Sequence, residues 1–373
     1  MMKKMLVIGD GDSVFIKDFV NQYDKKGVSV DLISFGQEIK NKFVRTQKNI
    51  TIKFGFSFSA LNILFELRRI IDELDDDYDV IVIHFVYFFL GPYIFKLKRK
   101  TNRLVSVIWG SDFYRISSKF KFFLQKLIFK GSDAIIFTNP KTKALFIEKK
   151  AAIATELYVA RFGLPALDEI DRLKNEDYFA LCTNFNLPIN KTKIMVGYNA
   201  NLAHQQLKVI DKVAELNIEV LDNIHLVFPL AYGGNSKELI KVALDQNKNI
   251  KYTILDQFYD FHEIAKLRSV IDILINIQPT DQFSGSMQET LYAGGWVLAG
   301  SWLPYQQLTE LTSKLILIDS VDDVAEKLNA MVVNGCKKSE DNNELVRNFI
   351  KKSSSWEENI PIWDDILFPN EVG

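Results

Sequence analysis

Two carboxylates, Asp281 and Glu289, flank a polar loop with a glycine, and their surroundings suit nucleotide chemistry. The loop follows an apolar run at 271–277 that is typical of a buried strand, and a helix is predicted to open at 284–286. Amide groups at a helix start bind phosphate, and a nearby carboxylate accepts hydrogen bonds from ribose hydroxyls. A strand–loop–helix of an unrelated α/β protein is the alternative. The predicted donor contacts in this segment are Asp281, Ser284, Gly285, Ser286, Met287 and Glu289.

A second phosphate-binding turn is predicted at 196–207, VGYNANLAHQQL. A strand ends at Gly197, small polar residues follow, and a helix is predicted to start near Leu202. Small residues let the backbone approach a ligand, and free amides at the helix start favour a diphosphate. His204 adds a donor to the phosphate, or it is a surface helix residue. The predicted contacts are Gly197, Tyr198, Asn199, Asn201 and His204.

The segment FPLAYGGN at 228–235 places Tyr232 and Gly233 between a buried strand and a helix capped by Asn235 or Ser236. Tyr232 either stacks on a base or sugar of the donor or covers the core.

Two aspartates in the first half are candidate bases. Asp112, in IWGSDFYR at 108–115, follows a buried strand at the edge where open α/β sheets bind ligands. It acts as a general base on an acceptor hydroxyl, or it caps the next helix. Asp12 follows the first strand and raises the same choice. Asp10 and Asp12 have the spacing of a metal-binding D-x-D pattern, but helix capping is the favoured interpretation there.

Several function classes are excluded by composition. Two cysteines and four histidines disfavour a disulfide framework or a metal site. The dinucleotide fingerprint after the first strand is broken, because Val14 stands in the third glycine position. No apolar run reaches the roughly 20 residues that span a bilayer. A cytosolic protein without a metal is expected.

Charge is unevenly distributed along the chain. Residues 1–165 carry a net charge of +10 and the remainder −11. A basic half suits an anionic membrane surface or a phosphate-bearing acceptor, and no nucleic-acid motif accompanies it. In KFKFFLQKLIFK at 119–130, the stripe that contains Phe120 and Phe123 is expected to face the core. The opposite face of this helix, with Phe122 and Phe129, is then expected to contact the membrane. The alternative is that these two rings pack against a neighbouring loop. The predicted membrane or acceptor contacts are Lys119, Lys121, Phe122, Lys126 and Phe129.

These residues need two sheets to position them. Short runs rich in Val, Ile and Phe alternate with helical patterns, which predicts mostly parallel sheets. The rhythm lapses once, between prolines at 165 and 188. We predict a Rossmann-like acceptor domain at 1–165, a connection at 166–190, a Rossmann-like nucleotide-sugar domain at 191–340 and a helical tail at 341–373.

Taken in order, the motifs resemble those of GT-B glycosyltransferases, which have two Rossmann-like domains facing across a cleft and a tail that returns to the first. WGSDFYR, FPLAYGGN and VGYNAN are similar to elements of bacterial N-acetylfucosamine-type transferases that act on lipid-linked saccharides. Asp281 and Glu289 resemble the E-x7-E element of family-4 glycosyltransferases. Asp replaces the first Glu, and Trp109 replaces the His of an H-G-S-D element, so the donor sugar and the stereochemistry do not carry over.

The resemblance implies a hexosyl-type glycosyltransferase that moves sugar from a nucleoside-diphosphate sugar to a saccharide acceptor, expected to be lipid-linked. The implied setting is bacterial cell-envelope polysaccharide synthesis, such as O-antigen or capsule. It implies a cytoplasmic protein peripheral to the inner face of an anionic membrane, with no cofactor, no metal and no nucleic-acid partner. Asp112 is the preferred base and Asp12 the second. A non-catalytic nucleotide- or sugar-binding partner of another transferase and a sugar-nucleotide epimerase are the alternatives.

Overall fold

A computed structural model describes residues 2–36, 41–50, 57–75, 77–114, 116, 118–149, 155–281, 283–339 and 344–369, with only the backbone given at 57–61. The chain forms two compact units. The first comprises Met1–Gly163 and Trp356–Gly373, and the second comprises Leu164–Ser355. The predicted start of the tail, Asp341, lies outside the described residues.

The first unit is built on a parallel sheet of seven strands in the order β3-β2-β1-β4-β5-β6-β7. The strands are β1 Lys4–Gly9, β2 Ser29–Ser34, β3 Thr46–Asn49, β4 Tyr78–His84, β5 Thr101–Ile108, β6 Ala134–Phe137 and β7 Glu156–Val159. Apolar clusters cover both faces, which explains the continuous Val, Ile and Phe runs. Strand β3 was not predicted because its sequence, TQKN, is a polar edge strand.

Helices connect the strands of this sheet. They are α1 Val14–Lys25, α2 Ser57–Glu73, α3 Ile94–Lys98, α4 Ser111–Tyr114, α5 Lys119–Gly131 and α6 Pro140–Glu148, with a 3₁₀ helix at Phe88–Tyr93. Strand order reverses between β1 and β4, so the loops after these two strands meet at the sheet's carboxyl edge.

The second unit has a parallel sheet of six strands in the order β10-β9-β8-β11-β12-β13. The strands are β8 Thr192–Val196, β9 Ile224–Pro229, β10 Tyr252–Leu255, β11 Ile273–Asn276, β12 Trp296–Gly300 and β13 Leu315–Ile318. The strand order reverses between β8 and β11, which are neighbours. Open α/β sheets bind ligands at such a point, and the two loops predicted to bind phosphate both start there.

Helices also cover the second sheet. They are α7 Ala166–Arg172, α8 Tyr178–Asn184, α9 Gln206–Ala214, α10 Ile218–Asn223, α11 Lys237–Gln246, α12 Phe261–Val270, α13 Gly285–Tyr292, α14 Gln306–Thr309, α15 Val324–Val333 and α16 Glu344–Ser354, with 3₁₀ helices at Leu173–Asn175, Leu202–His204 and Val321–Asp323. The segment 166–190, predicted as a connection, contributes α7 and α8 to the core of this unit.

The final helix, α17 Trp356–Leu367, belongs to the first unit. The Trp356 indole donates to the Asp18 carboxylate, and the Trp363 indole donates to the Arg161 carbonyl at 2.8 Å. The predicted return of the C-terminal helix is confirmed for α17, whereas α16 stays in the second unit. Because α17 and the residues after it are acidic, the first unit has a net charge of +5 and the second −6.

Candidate functional site

Helix α13 starts with amide groups that have no acceptor among the described residues. The helix opens within the predicted range 284–286, and Ser284 caps it: the Ser284 hydroxyl accepts a hydrogen bond from the Met287 amide at 3.3 Å. Among the hydrogen bonds of the described chain, the amides of Gly285 and Ser286 have no acceptor. Two donors at the positive end of a helix dipole are therefore without an acceptor in the described chain, which is the arrangement that binds a phosphate.

Glu289 lies beside this helix start and is paired with a buried cation. Its Oε2 accepts from the Arg268 guanidinium at 3.1 Å, and Arg268 also donates to the Ser286 hydroxyl. Arg268 is 4% exposed. A side chain on Gly285 would place its Cβ 3.8 Å from the Glu289 Oε1, so this second oxygen faces the helix start. One carboxylate oxygen is thus fixed while the other is directed towards the free amides.

Asp281 is held by neighbouring side chains. Its Oδ2 accepts from the Tyr305 hydroxyl and from the Asn276 amide at 3.4 Å. Burial, followed by Asp281, raises the pKa of Tyr305 well above its ordinary value, so the phenol stays protonated and donates. Asn276 is fully buried, and its Oδ1 has no partner within the described chain. Asp281 is therefore a fixed carboxylate in the loop that follows β11.

The turn after β8 differs in detail from the prediction. Leu202–His204 is a three-residue 3₁₀ helix, and α9 begins only at Gln206. Asn201 accepts hydrogen bonds from two amides of this turn. Its side chain accepts from the Ala203 amide at 2.9 Å, and its carbonyl accepts from the His204 amide at 3.0 Å. The helix start predicted near Leu202 is observed, but the amides of Ala203 and His204 are taken by the capping asparagine.

His204 is buried rather than on the surface. It packs over Gly197, whose φ of +66° and close approach to the imidazole leave no space for a side chain. Its ring lies 4.2 Å from the Tyr198 ring, and its Nδ1 has no partner within the described chain. Burial lowers the pKa of His204 to about 4, so the imidazole is neutral at pH 7. A neutral imidazole carries one N–H that can be donated.

Tyr198 and Asn199 connect the two loops of this edge. The Tyr198 hydroxyl accepts from Gln278, in the loop after β11, at 3.1 Å. The Asn199 side chain accepts from the Asn201 amide at 2.9 Å. Gly233, with φ of +91°, approaches the Asn199 side chain so closely that a Cβ would lie 2.8 Å from it. The loops after β8, β9 and β11 are thus held together.

Tyr232 has its ring exposed, against the core-lid alternative. The ring is 52% exposed and lies 6.0 Å from the ring of Phe258, which is also exposed. Both follow neighbouring strands, β9 and β10. Ser236 stands at the cap position of α11, but its hydroxyl donates to the Ala200 carbonyl instead of accepting from the helix.

In the first unit, Asp112 binds the protein's own amides. Its carboxylate accepts from Val86 at 2.8 Å, Trp109 at 3.0 Å and Gly110 at 2.8 Å. Burial raises the pKa of Asp112 to about 6, against the effect of these bonds. The carboxylate joins the loops after β4 and β5. Asp112 lies inside α4 and accepts from residues that precede this helix, so it connects two loops and does not cap a helix.

Asp10 and Asp12 lie in the loop after β1. The Asp10 Oδ1 accepts from the Asp12 amide at 3.0 Å, which forms a turn before α1. The cap residue of α1 is Ser13, whose side chain makes no capping bond. The helix-capping interpretation of Asp10 and Asp12 is therefore wrong. The half-buried Asp12 carboxylate approaches Gly36, at the end of the neighbouring strand β2.

The prediction for α5 is wrong for its four phenylalanines, whereas Ile128, which belongs to the stripe expected to face the core, is fully buried. Phe129 is fully buried against Phe146, and Phe122 packs partly into the core. Phe120 and Phe123, expected inside, are 68% and 56% exposed. Gln125 determines which face of α5 is buried, because its side-chain amide donates to the carbonyls of Val86 and Asp112.

Arg268, Asn276, Tyr305 and Phe258 were missed as site residues. Arg268 gave one signal, a cation shortly before the apolar run of β11. The others gave none.

Known proteins show the same architecture. Residues 4–139 match the family model described as Glycosyl transferase 4-like. A sucrose-phosphate synthase from Thermosynechococcus elongatus superimposes with a TM-score of 0.74 at 12% identity, covering 97% of this chain and 98% of that one. The fold is that of the GT-B glycosyltransferases. Together, the domain match and the fold support a glycosyltransferase enzyme, and they confirm the resemblance to family 4 at that level.

Two further structures share this fold. A glycosyltransferase from Rickettsia africae ESF-5 has a TM-score of 0.71 at 15% identity, covering 98% of this chain and 99% of that one. A structure described as trehalose-6-phosphate from E. coli bound with UDP-2-fluoro glucose has a TM-score of 0.69 at 13% identity, with the same coverage. No curated protein sequence matches the chain.

Proposed function

We propose that the chain is a glycosyltransferase whose second unit binds a nucleoside-diphosphate sugar. The free amides of Gly285 and Ser286, beside the Glu289 carboxylate at the reversal of strand order, carry the proposal. A similar structure that holds UDP-2-fluoro glucose supports a donor of this class.

Each group has a role in this proposal. The two amides and the neutral His204 bind the diphosphate, and Glu289 accepts hydrogen bonds from the ribose. The α13 dipole stabilises the departing diphosphate, so transfer needs no metal. Within the described residues, no group of three His, Cys, Asp or Glu side chains is arranged to hold a metal ion. Asp281 binds the sugar, in the place of the first Glu of the E-x7-E element.

The proposed acceptor is a lipid-linked saccharide presented by the first unit, in cell-envelope polysaccharide synthesis. A net charge of +5 on this unit supports a diphosphate-bearing acceptor and a peripheral position on an anionic membrane face. Within the described part of the chain, no helix has the length and apolar character to cross a bilayer. Because Asp112 is bound to three amides, we assign the base of an inverting reaction to Asp12.

Nucleotide binding tests the donor site. We expect one of UDP, GDP, ADP and dTDP to raise the melting temperature, since binding to the folded state stabilises it. Glu289→Gln should weaken affinity for that nucleotide about tenfold or more, because a hydrogen bond to a charged group is lost. Glu263→Gln is the matched control, since Glu263 pairs with Lys266 on the surface of α12. Absence of stabilisation by all four nucleotides, or unchanged affinity in Glu289→Gln, contradicts the proposal.

Turnover separates an enzyme from a binding module. Release of nucleoside diphosphate from the matching nucleotide sugar, accelerated by a bacterial lipid extract, is the expected result. Tight nucleotide binding without turnover, over a broad screen of donors and acceptors, would instead identify a non-catalytic partner protein.

A further inference from the structure

Helix α5 presents an exposed aromatic stripe to solvent. Phe120 and Phe123 lie one turn apart and are 68% and 56% exposed. Removing such rings from water is favourable, and adjacent exposed rings of this size mark interaction surfaces. We define the α5 surface as Lys119, Phe120, Lys121, Phe123, Lys126 and Lys130.

The positive charge of the α5 surface is not paired with any carboxylate in the described part of the chain. No acidic residue occurs between Lys119 and Gly131. None of its four lysines forms an ion pair with a described carboxylate, whereas Lys4, Lys96 and Lys98 elsewhere in the same unit all do. The Lys121 ammonium lies 5.0 Å from the Phe88 ring centre, and the Lys126 ammonium lies 4.9 Å from that of Phe122.

The orientation of the stripe is fixed by the core below it. The amide of Gln125, which is 1% exposed, donates to the carbonyls of Val86 at 2.7 Å and Asp112 at 2.8 Å. At Gly91, in the 3₁₀ helix before α3, a Cβ would lie 2.5 Å from the Leu124 carbonyl oxygen, so the two backbones are in close contact. The helix cannot rotate to bury Phe120 and Phe123 without breaking these contacts.

We propose that the α5 surface binds an anionic lipid surface, with the rings of Phe120 and Phe123 inserted among the headgroups. An apolar stripe bordered only by lysines is the pattern of a helix that lies in a membrane interface. Each lysine contributes to attraction by acidic lipids, and salt screens that attraction. A lipid surface accounts for the rings as well as the charge, whereas an acidic protein partner accounts for the charge alone. This inference rests on the proposed membrane-side acceptor, but it concerns lipid binding and not transfer.

Vesicle flotation with the full chain tests the α5 surface. We expect binding to vesicles of phosphatidylcholine with about one-third phosphatidylglycerol, little binding to phosphatidylcholine alone, and release by salt. Phe120→Ser combined with Phe123→Ser should reduce binding at least tenfold. Phe179→Ser is the matched control, because Phe179 is 60% exposed on α8, beside Glu176 and Asp177.

Charge is tested by a second matched pair. Lys119→Glu with Lys126→Glu should abolish binding to the anionic vesicles. Lys241→Glu with Lys248→Glu changes two exposed lysines of the second unit, alters net charge equally, and should leave binding nearly unchanged.

The overturning results are specific. Absence of binding to anionic vesicles at low salt, or equal losses in the test and control pairs, refutes the lipid surface. Full binding by the double serine variant refutes ring insertion, because the charge alone would then account for vesicle binding. Because flotation needs neither nucleotide nor turnover, its failure is distinguishable from failure of the proposed transferase activity.

Discussion

The backbone amides at the carboxyl edges of the two sheets differ in their hydrogen-bond partners. In the first unit, the Asp112 carboxylate accepts hydrogen bonds from the amides of Val86, Trp109 and Gly110. In the second, the amides of Gly285 and Ser286 have no acceptor within the described chain, and the carboxylate of Glu289 is turned to Arg268. The same parallel topology thus gives one edge that is closed by its own side chain and one that can accept an anion.

The difference lies in where the positive charge is. Arg268 neutralises Glu289, so the helix dipole of α13 keeps its attraction for a phosphate. If Glu289 or Asp281 accepted hydrogen bonds from the Gly285 and Ser286 amides, a carboxylate would occupy the position of the phosphate. Asp112 occupies the corresponding position in the first unit. Substitutions that change these pairings should therefore affect the two edges in different ways.

The largest expected effect comes from Arg268→Met. It leaves Glu289 buried without its cation, and breaking a buried ion pair in this way costs about 3–5 kcal/mol of stability. It should also weaken nucleotide binding and remove the preference for a ribose over its 2′,3′-dideoxy counterpart. Urea unfolding and calorimetric titration measure the two effects.

Lys193→Met is the control for that change. Lys193 pairs with Asp272 at 3.0 Å in the same unit, at the opposite, amino end of β8. We expect a comparable loss of stability with unchanged discrimination between ribose and dideoxyribose. Equal loss of discrimination in both variants would make Arg268 merely structural.

The second effect is a pH dependence confined to the closed edge. The pKa of Asp112 is raised from 3.8 to about 6, chiefly by burial. Since the unfolded chain releases this proton at lower pH, the contribution of Asp112 to stability falls as pH rises from about 4 to about 6, by on the order of 2–3 kcal/mol, and is constant above that range.

Urea unfolding of the native chain and of Asp112→Asn measures this slope. The free-energy difference between them should depend on pH only in that window, and nucleotide affinity should match that of the native chain. An identical pH dependence in both proteins would contradict the assignment. Weakened nucleotide binding in Asp112→Asn would contradict the difference between the carboxyl edges of the two sheets.

The smallest effect is expected for Phe258→Ala. If this exposed ring and Tyr232 contact the nucleobase, affinity for the nucleoside diphosphate should fall roughly fivefold, since a stacked base contributes about 1 kcal/mol or more. Inorganic pyrophosphate has no base, so its affinity should not change. A parallel loss for pyrophosphate would show that the ring acts on the α13 edge and not on a base.

The helix start at α13 was predictable because its signals are local. Ser284 and the polar residues after a buried strand specify the cap, and Glu289 follows within two turns. The helix start at Leu202 was predictable too, but the pairing of its amides was not, because an asparagine serves equally well as a cap and as a polar ligand contact. The pairing of Arg268 with Glu289 was not predictable, because it joins two helices through space.

The sequence by itself determined the two parallel sheets and the loops at the edge of the second one, because continuous apolar runs and glycine turns act on their immediate neighbours. Only the tertiary structure decided which face of α5 is outside. That helix is aromatic all around, so the helical period could not identify its buried face. The hydrogen bonds of Gln125 to two distant carbonyls determine that face. It also decided that α17 joins the first unit, where Trp363 is buried.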